Sequence, residues 1–130
     1  MSSVRGRRAL GWTLLIAGAS FTGCDFGPSG PGAIEIRVSG RGLGGSVVEV
    51  AGVGIRRFEA AGDTRVYWSA VDGSTDRYRV VAITELGGQV RFEARVDDVR
   101  MEGPRVSIVS LVDTSNRPYP VGDVEVDVRR

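Results

Sequence analysis

From residue 33 onward, apolar and polar residues alternate with period two in a series of short stretches. Such alternation sends successive side chains to opposite faces and marks a half-buried strand. Ile34, Ile36 and Val38 alternate with Glu35 and Arg37. Residues 39–45 hold four glycines and predict a flexible turn, followed by a short second strand at 47–50. Residues 55–60 form a third, with Phe58 as its apolar anchor. In a fourth, over 64–71, Val66, Trp68 and Ala70 share one face and Tyr67 and Ser69 the other. Asp72-Gly73 is a strong hairpin signal. A fifth strand at 77–84 reads as more deeply buried, because Val80, Val81, Ala82 and Ile83 run together. In 90–96, Phe92, Ala94 and Val96 point inward and Arg91, Glu93 and Arg95 outward. Residues 105–112 are apolar on both faces, which predicts a central strand. Val124, Val126 and Val128 end the series.

No stretch carries a capped helical period. Eight strands with regular turn signals predict an all-β chain, a single antiparallel β-sandwich over residues 33–130. Phe92, Ile108 and Val126 should lie in one core. The outward faces mix Arg with Glu and Asp, so opposite charges can sit across neighbouring strands.

The first 32 residues follow another pattern. Arg5, Arg7 and Arg8 precede an apolar run at 12–20, with Leu14, Leu15 and Ile16 at its centre, and then Phe21-Thr22-Gly23-Cys24. This segment resembles the export signal and lipobox of bacterial lipoproteins, with Phe21 where the family usually has Leu. The resemblance implies cleavage after residue 23, a diacylglyceryl group on the Cys24 sulfur and membrane anchoring on the extracytoplasmic side of the cell envelope. The apolar run is too short for a spanning helix, which needs about 20 apolar residues. A plain secretory signal is the alternative reading. Twin-arginine export fits the residues around Arg7-Arg8 poorly. Residues 24–32 alternate Gly and Pro with small polar residues and read as a tether.

Composition narrows the chemistry. The chain has 130 residues, 17 of them basic and 16 acidic. Every cation is arginine; there is no lysine and no histidine. Histidine-based triads and zinc sites are thereby excluded, as is Schiff-base lysine chemistry. Loss of the three signal arginines leaves fourteen against sixteen acids, so no basic surface argues for nucleic acid. The one cysteine, Cys24, allows no disulfide within the chain. No cofactor motif is read.

Asp72, Ser74 and Asp76 place oxygen ligands at alternate positions, as calcium loops do. The glycine is misplaced for an EF-hand and no Glu closes a twelve-residue loop, so a hairpin turn is the favoured reading. Asp97 and Asp98 with Glu102, or Asp113 with Asp123, would have to share a cleft to act as acid and base. A catalytic role is not expected. Tyr67, Trp68 and Tyr78 are candidates for a sugar-stacking platform. Trp68 is in register with the core, which leaves Tyr67 and Tyr119 as the exposed aromatic candidates for binding.

From Val90 to the end, the order of strand, Asp-rich link, strand, Asp-x-x-Asn loop and strand resembles the C-terminal half of cohesin-like and other immunoglobulin-like bacterial modules. That resemblance covers about a third of the chain. It implies a sandwich that serves as a structural module or recognises a protein or glycan partner, with no binding residues carried over.

Overall fold

The computed structural model describes residues 30–130. The segment read as an export signal, Cys24 and the residues up to Ser29 read as a tether lie outside the described residues. Eight strands follow in order: β1 Gly32–Ser39, β2 Leu43–Ala51, β3 Ile55–Ala60, β4 Arg65–Ala70, β5 Arg77–Ile83, β6 Gln89–Val96, β7 Arg105–Asp113 and β8 Glu125–Arg129. They form two four-stranded antiparallel sheets, ordered β3-β6-β1-β8 and β4-β5-β2-β7. The all-β sandwich expected from the alternation is the fold.

Strand pairs β1·β8, β2·β7, β3·β6 and β4·β5 are those of one long hairpin rolled onto itself. Two further pairings, β1·β6 and β2·β5, close each sheet. Only β4 and β5 are consecutive strands in the same sheet; every other connection crosses the sandwich. The β4–β5 hairpin turns at Val71–Gly73, where Asp72 adopts φ 51°. Asp is among the few residues that tolerate this left-handed region.

Ile34, Ile36 and Val38 of β1 face Val90, Phe92 and Ala94 of the neighbouring β6 within the first sheet's inner layer. Val48, Val50, Tyr78, Val80, Ala82 and Leu111 supply the second layer. Phe92 is fully buried; Ile108 and Val126 are half-buried against the same core. Phe58 sits edge-to-face against Phe92 at 5.9 Å in its own sheet, and against Trp68 at 5.4 Å and Tyr78 at 5.6 Å in the other. This aromatic cluster seals the side of the sandwich where β3 and β4 lie.

Three expectations need correction. β7 is an edge strand, not a central one, and Val109 is exposed. Its apolar residues fall on both faces because a bulge between its pairings with Val47 and Val48 interrupts the alternation. The segment 39–45 is only partly turn: β2 already begins at Leu43. A Cβ on Gly44 would lie 2.6 Å from the Asp113 carbonyl oxygen, so glycine is what lets β2 approach β7 there. In β5, Val80 and Ala82 are buried but Ile83 is exposed, so that strand alternates like the others.

The outer face of the first sheet carries charge in rows. Glu59, Glu93 and Glu35 stand directly opposite one another across β3, β6 and β1. Arg57 faces Arg95 in the next row, and Arg91 faces Arg37 in the row beyond. Directly opposed residues across β3, β6 and β1 are thus alike, whereas across β1 and β8 Glu35 faces Arg129 and Arg37 faces Asp127, the opposite-charge arrangement expected from sequence. Opposite charges meet along strands and on diagonals: Arg37–Glu35 at 3.1 Å, Arg57–Glu59 at 2.8 Å, Arg95–Glu59 at 3.0 Å and Arg91–Glu35 at 3.5 Å.

Candidate functional site

The oxygen-rich turn at 72–76 is organised by its own hydrogen bonds. Ser74 Oγ lies 2.6 Å from Asp76 Oδ1 and accepts the Asp76 amide at 3.1 Å. The Ser74 amide donates to the Val71 carbonyl at 2.8 Å. Asp72, Ser74 and Asp76 thus form a hydrogen-bonded hairpin turn. Among the described residues, no group of three or more acidic or cysteine side chains is placed to hold a metal ion.

The carboxylates considered as acid–base pairs are engaged in holding loops. Asp98 Oδ1 accepts the Gly30 amide at 3.1 Å and the Arg100 amide at 2.9 Å. Asp113 Oδ1 accepts the amides of Arg117 at 2.9 Å and Ser115 at 2.8 Å. These donors stabilise the ionised form and hold both carboxyls below the usual Asp range, led by the Arg100 amide and the Arg117 amide respectively. A general acid requires the opposite shift. Asp97 is ion-paired with Arg56 at 2.6 Å. Asp97, Asp98 and Glu102 sit at the end of the sandwich where the described chain begins. Asp113 and Asp123 sit at the far end, beside the start of β2 and β8.

Tyr78 is buried, and its hydroxyl donates to the Thr75 carbonyl at 3.1 Å. Trp68 is 40 % exposed at the sheet edge but packs edge-to-face on Phe58 and Tyr78. Tyr119 is half-buried against the core, and its hydroxyl donates to the Arg41 carbonyl at 2.8 Å. Its place is therefore structural, pinning the 114–124 loop over the glycine turn at 40–42. Tyr67 is 58 % exposed, as expected. Tyr67 and Tyr119 are not brought together: β4 and β7 form opposite edges of the second sheet, and Tyr119 lies in the loop after β7.

Tyr67 belongs to a surface that strand-by-strand reading missed. Across the outer face of the second sheet, Tyr67 lies opposite Val81, which lies opposite Val47. In the adjoining row, Ile83 and Val112 flank Gly45. With no side chain on Gly45, the two close over it: a Cβ there would lie 3.2 Å from Val112 Cγ2 and 3.9 Å from Ile83 Cγ1. The result is an open apolar face, continued by exposed Leu86 beyond the end of β5 and rimmed by Arg65, Glu85, Arg79 and Glu49. The sequence signal was present in the apolar Val81, Ile83 and Val47 at outward parity, but it reads as extra burial until the sheet order is known.

At the other end of this sheet, the row Arg77, Ala51, Arg105 places two arginines either side of a small side chain. A groove of about 310 Å³ lies there, lined by these residues with Gly52, Val53, Asp76, Met101, Glu102 and Gly103. No family model, curated protein or solved structure matches the chain.

Proposed function

We propose that the chain is a cell-envelope lipoprotein, anchored through Cys24, that displays a non-catalytic β-sandwich and binds a protein partner through the outer face of its second sheet. The observation that carries this reading is the contrast between the two outer faces. The first sheet's face is covered with ion pairs, as a solvated antiparallel sheet should be. The second presents Tyr67, Val81, Val47, Ile83 and Val112 within a charged rim. Contiguous apolar surface rimmed by polar groups marks interaction sites. Tyr67 is the one aromatic side chain on this face among the described residues, and a sugar platform needs stacked rings, so a flat apolar protein surface is the better complement. The absence of histidine and lysine, and carboxylates held ionised by backbone donors, support a non-catalytic role.

Photo-crosslinking in intact envelopes tests the partner. A crosslinking residue at position 67 or 81 should yield a discrete adduct that is lost with Ile83→Glu. The same residue at position 91, on the first sheet, should yield none. Identical adduct patterns from both faces would overturn the assignment. The anchor is tested separately: Cys24→Ala should leave the membrane fraction or accumulate uncut, and a mature-sized, membrane-bound variant would refute the lipobox reading.

A further inference from the structure

We infer that the groove between Val53 and Met101 seats the domain on the phospholipid surface to which its N-terminus is attached. This rests on the lipoprotein reading, because that reading supplies the attachment. The described chain starts at Gly30, and Gly30 is fixed to the 97–104 connection on both its polar groups. Its amide donates to Asp98 Oδ1, and its carbonyl accepts the Val99 amide at 3.0 Å. Six residue steps separate it from Cys24. Fully extended, they reach about 20 Å. The end of the sandwich holding Gly30 is thus confined near the bilayer, and the end holding Leu86 is directed away from it.

The confined end has the chemistry to make contact. Val53, at the tip of the β2–β3 turn, is 59 % exposed, and Met101, in the β6–β7 connection, is 42 % exposed. They stand at the lips of one groove although 48 residues apart in sequence. Between them lie Arg77 and Arg105, spaced by Ala51, and a third cation, Arg130, is held close by its Nη2 bond to the Met101 carbonyl at 2.8 Å. Two apolar tips flanked by guanidinium groups match the boundary between acyl chains and phosphodiesters, since guanidinium forks pair well with phosphate oxygens. Asp76 and Glu102 share the groove; Asp76 is engaged by Ser74 Oγ, and Arg77 Nε pairs at 3.4 Å with Glu49, which it shares with Arg79.

The test attaches the chain to vesicles without relying on acylation. Residues 24–130 with Cys24→Ser and an N-terminal hexahistidine are bound to phosphatidylethanolamine–phosphatidylglycerol vesicles containing a nickel-chelating lipid. A single cysteine at position 53, 101 or 86 carries an environment-sensitive fluorophore, and nitroxide-labelled lipid is the quencher. Quenching at 53 and 101 should exceed that at 86 several-fold, and the double variant Arg77→Gln/Arg105→Gln should lose most of it while keeping its strand-type circular dichroism. Equal quenching at 101 and 86 would overturn the proposal. Undiminished quenching in the double variant would also overturn it, because the tether alone would then account for the contact. Mass analysis of Cys24 in the native chain reports acylation independently, so failure of the anchor and failure of the docking surface give different results.

Discussion

Glu35 lies directly opposite Glu93 across the β1–β6 pair, and Glu93 has Glu59 directly opposite on its other side. Glu93 is therefore the middle of three carboxylates in one row. Its ion pair is a single contact with Arg95 at 3.6 Å, whereas Glu59 is held by both Arg57 and Arg95. Like charges directly opposed across strands are destabilising by about 0.2–1 kcal/mol. Glu93→Gln should raise stability by that amount in urea melts at low salt, and the gain should shrink as salt screens the row. Glu59→Gln should lower stability. The two variants behaving alike would mean that the rows do not govern this face.

Acid should weaken the fold through the carboxylates whose ionised forms are held by donors. The Glu59 carboxyl is lowered by hydrogen bonds from Arg57 and then Arg95, Asp98 chiefly by the Arg100 amide, and Asp113 chiefly by the Arg117 amide. A folded-state value below the unfolded one contributes stability that is full above the unfolded value and is lost as pH falls through the folded one. The denaturation midpoint should be level near neutrality and should decline once pH drops below about 4.5, the ordinary value for Glu. A midpoint that held or rose there would contradict these contacts.

Phe92→Ala and Arg91→Ala separate the two faces of β6. Phe92 has no exposed surface and packs against Phe58, so its loss should cost about 3–5 kcal/mol. Arg91 loses an ion pair to Glu35 but keeps its backbone amide bond to Thr64 Oγ1, and should cost about 0–1 kcal/mol. Urea midpoints give the ordering, and a larger loss for Arg91 would place the inward face wrongly.

Much of this was readable from sequence because period two is a local property. The inward set on β6 and the hairpin at Asp72-Gly73 both follow from neighbouring residues. Sheet order does not, because it depends on pairing between residues far apart in the chain. Thus β7, apolar on both faces, read as central and is an edge, and outward Val81 and Ile83 read as core and form the apolar face. Rows of like charge were likewise invisible until Glu35, Glu59 and Glu93 had a common register. The groove joins Val53 to Met101 only because β2 and β7 are neighbours.

Glycines at the start of β2 illustrate the same limit. By propensity they predict a turn, yet Gly44 is in the strand because Asp113 leaves no room for a side chain. Gly44→Ala should cost about 1–3 kcal/mol, as over-packing does. Gly122→Ala has no atom within 4 Å of the new methyl and no positive φ, and should be neutral or slightly stabilising. Thermal melts of the pair decide whether backbone approach, rather than chain flexibility, is what the glycine supplies.

The pairing of β1 with β8 has a temporal consequence. Glu35 has its register partner in Arg129, 94 residues further along the sequence. During synthesis β1 must therefore wait for β8 before its sheet is complete. Non-local pairing of this kind makes folding slow. A domain that cannot finish its first sheet until β8 has been made keeps one edge of β1 open until then, and its topology acts as a delay against premature closure.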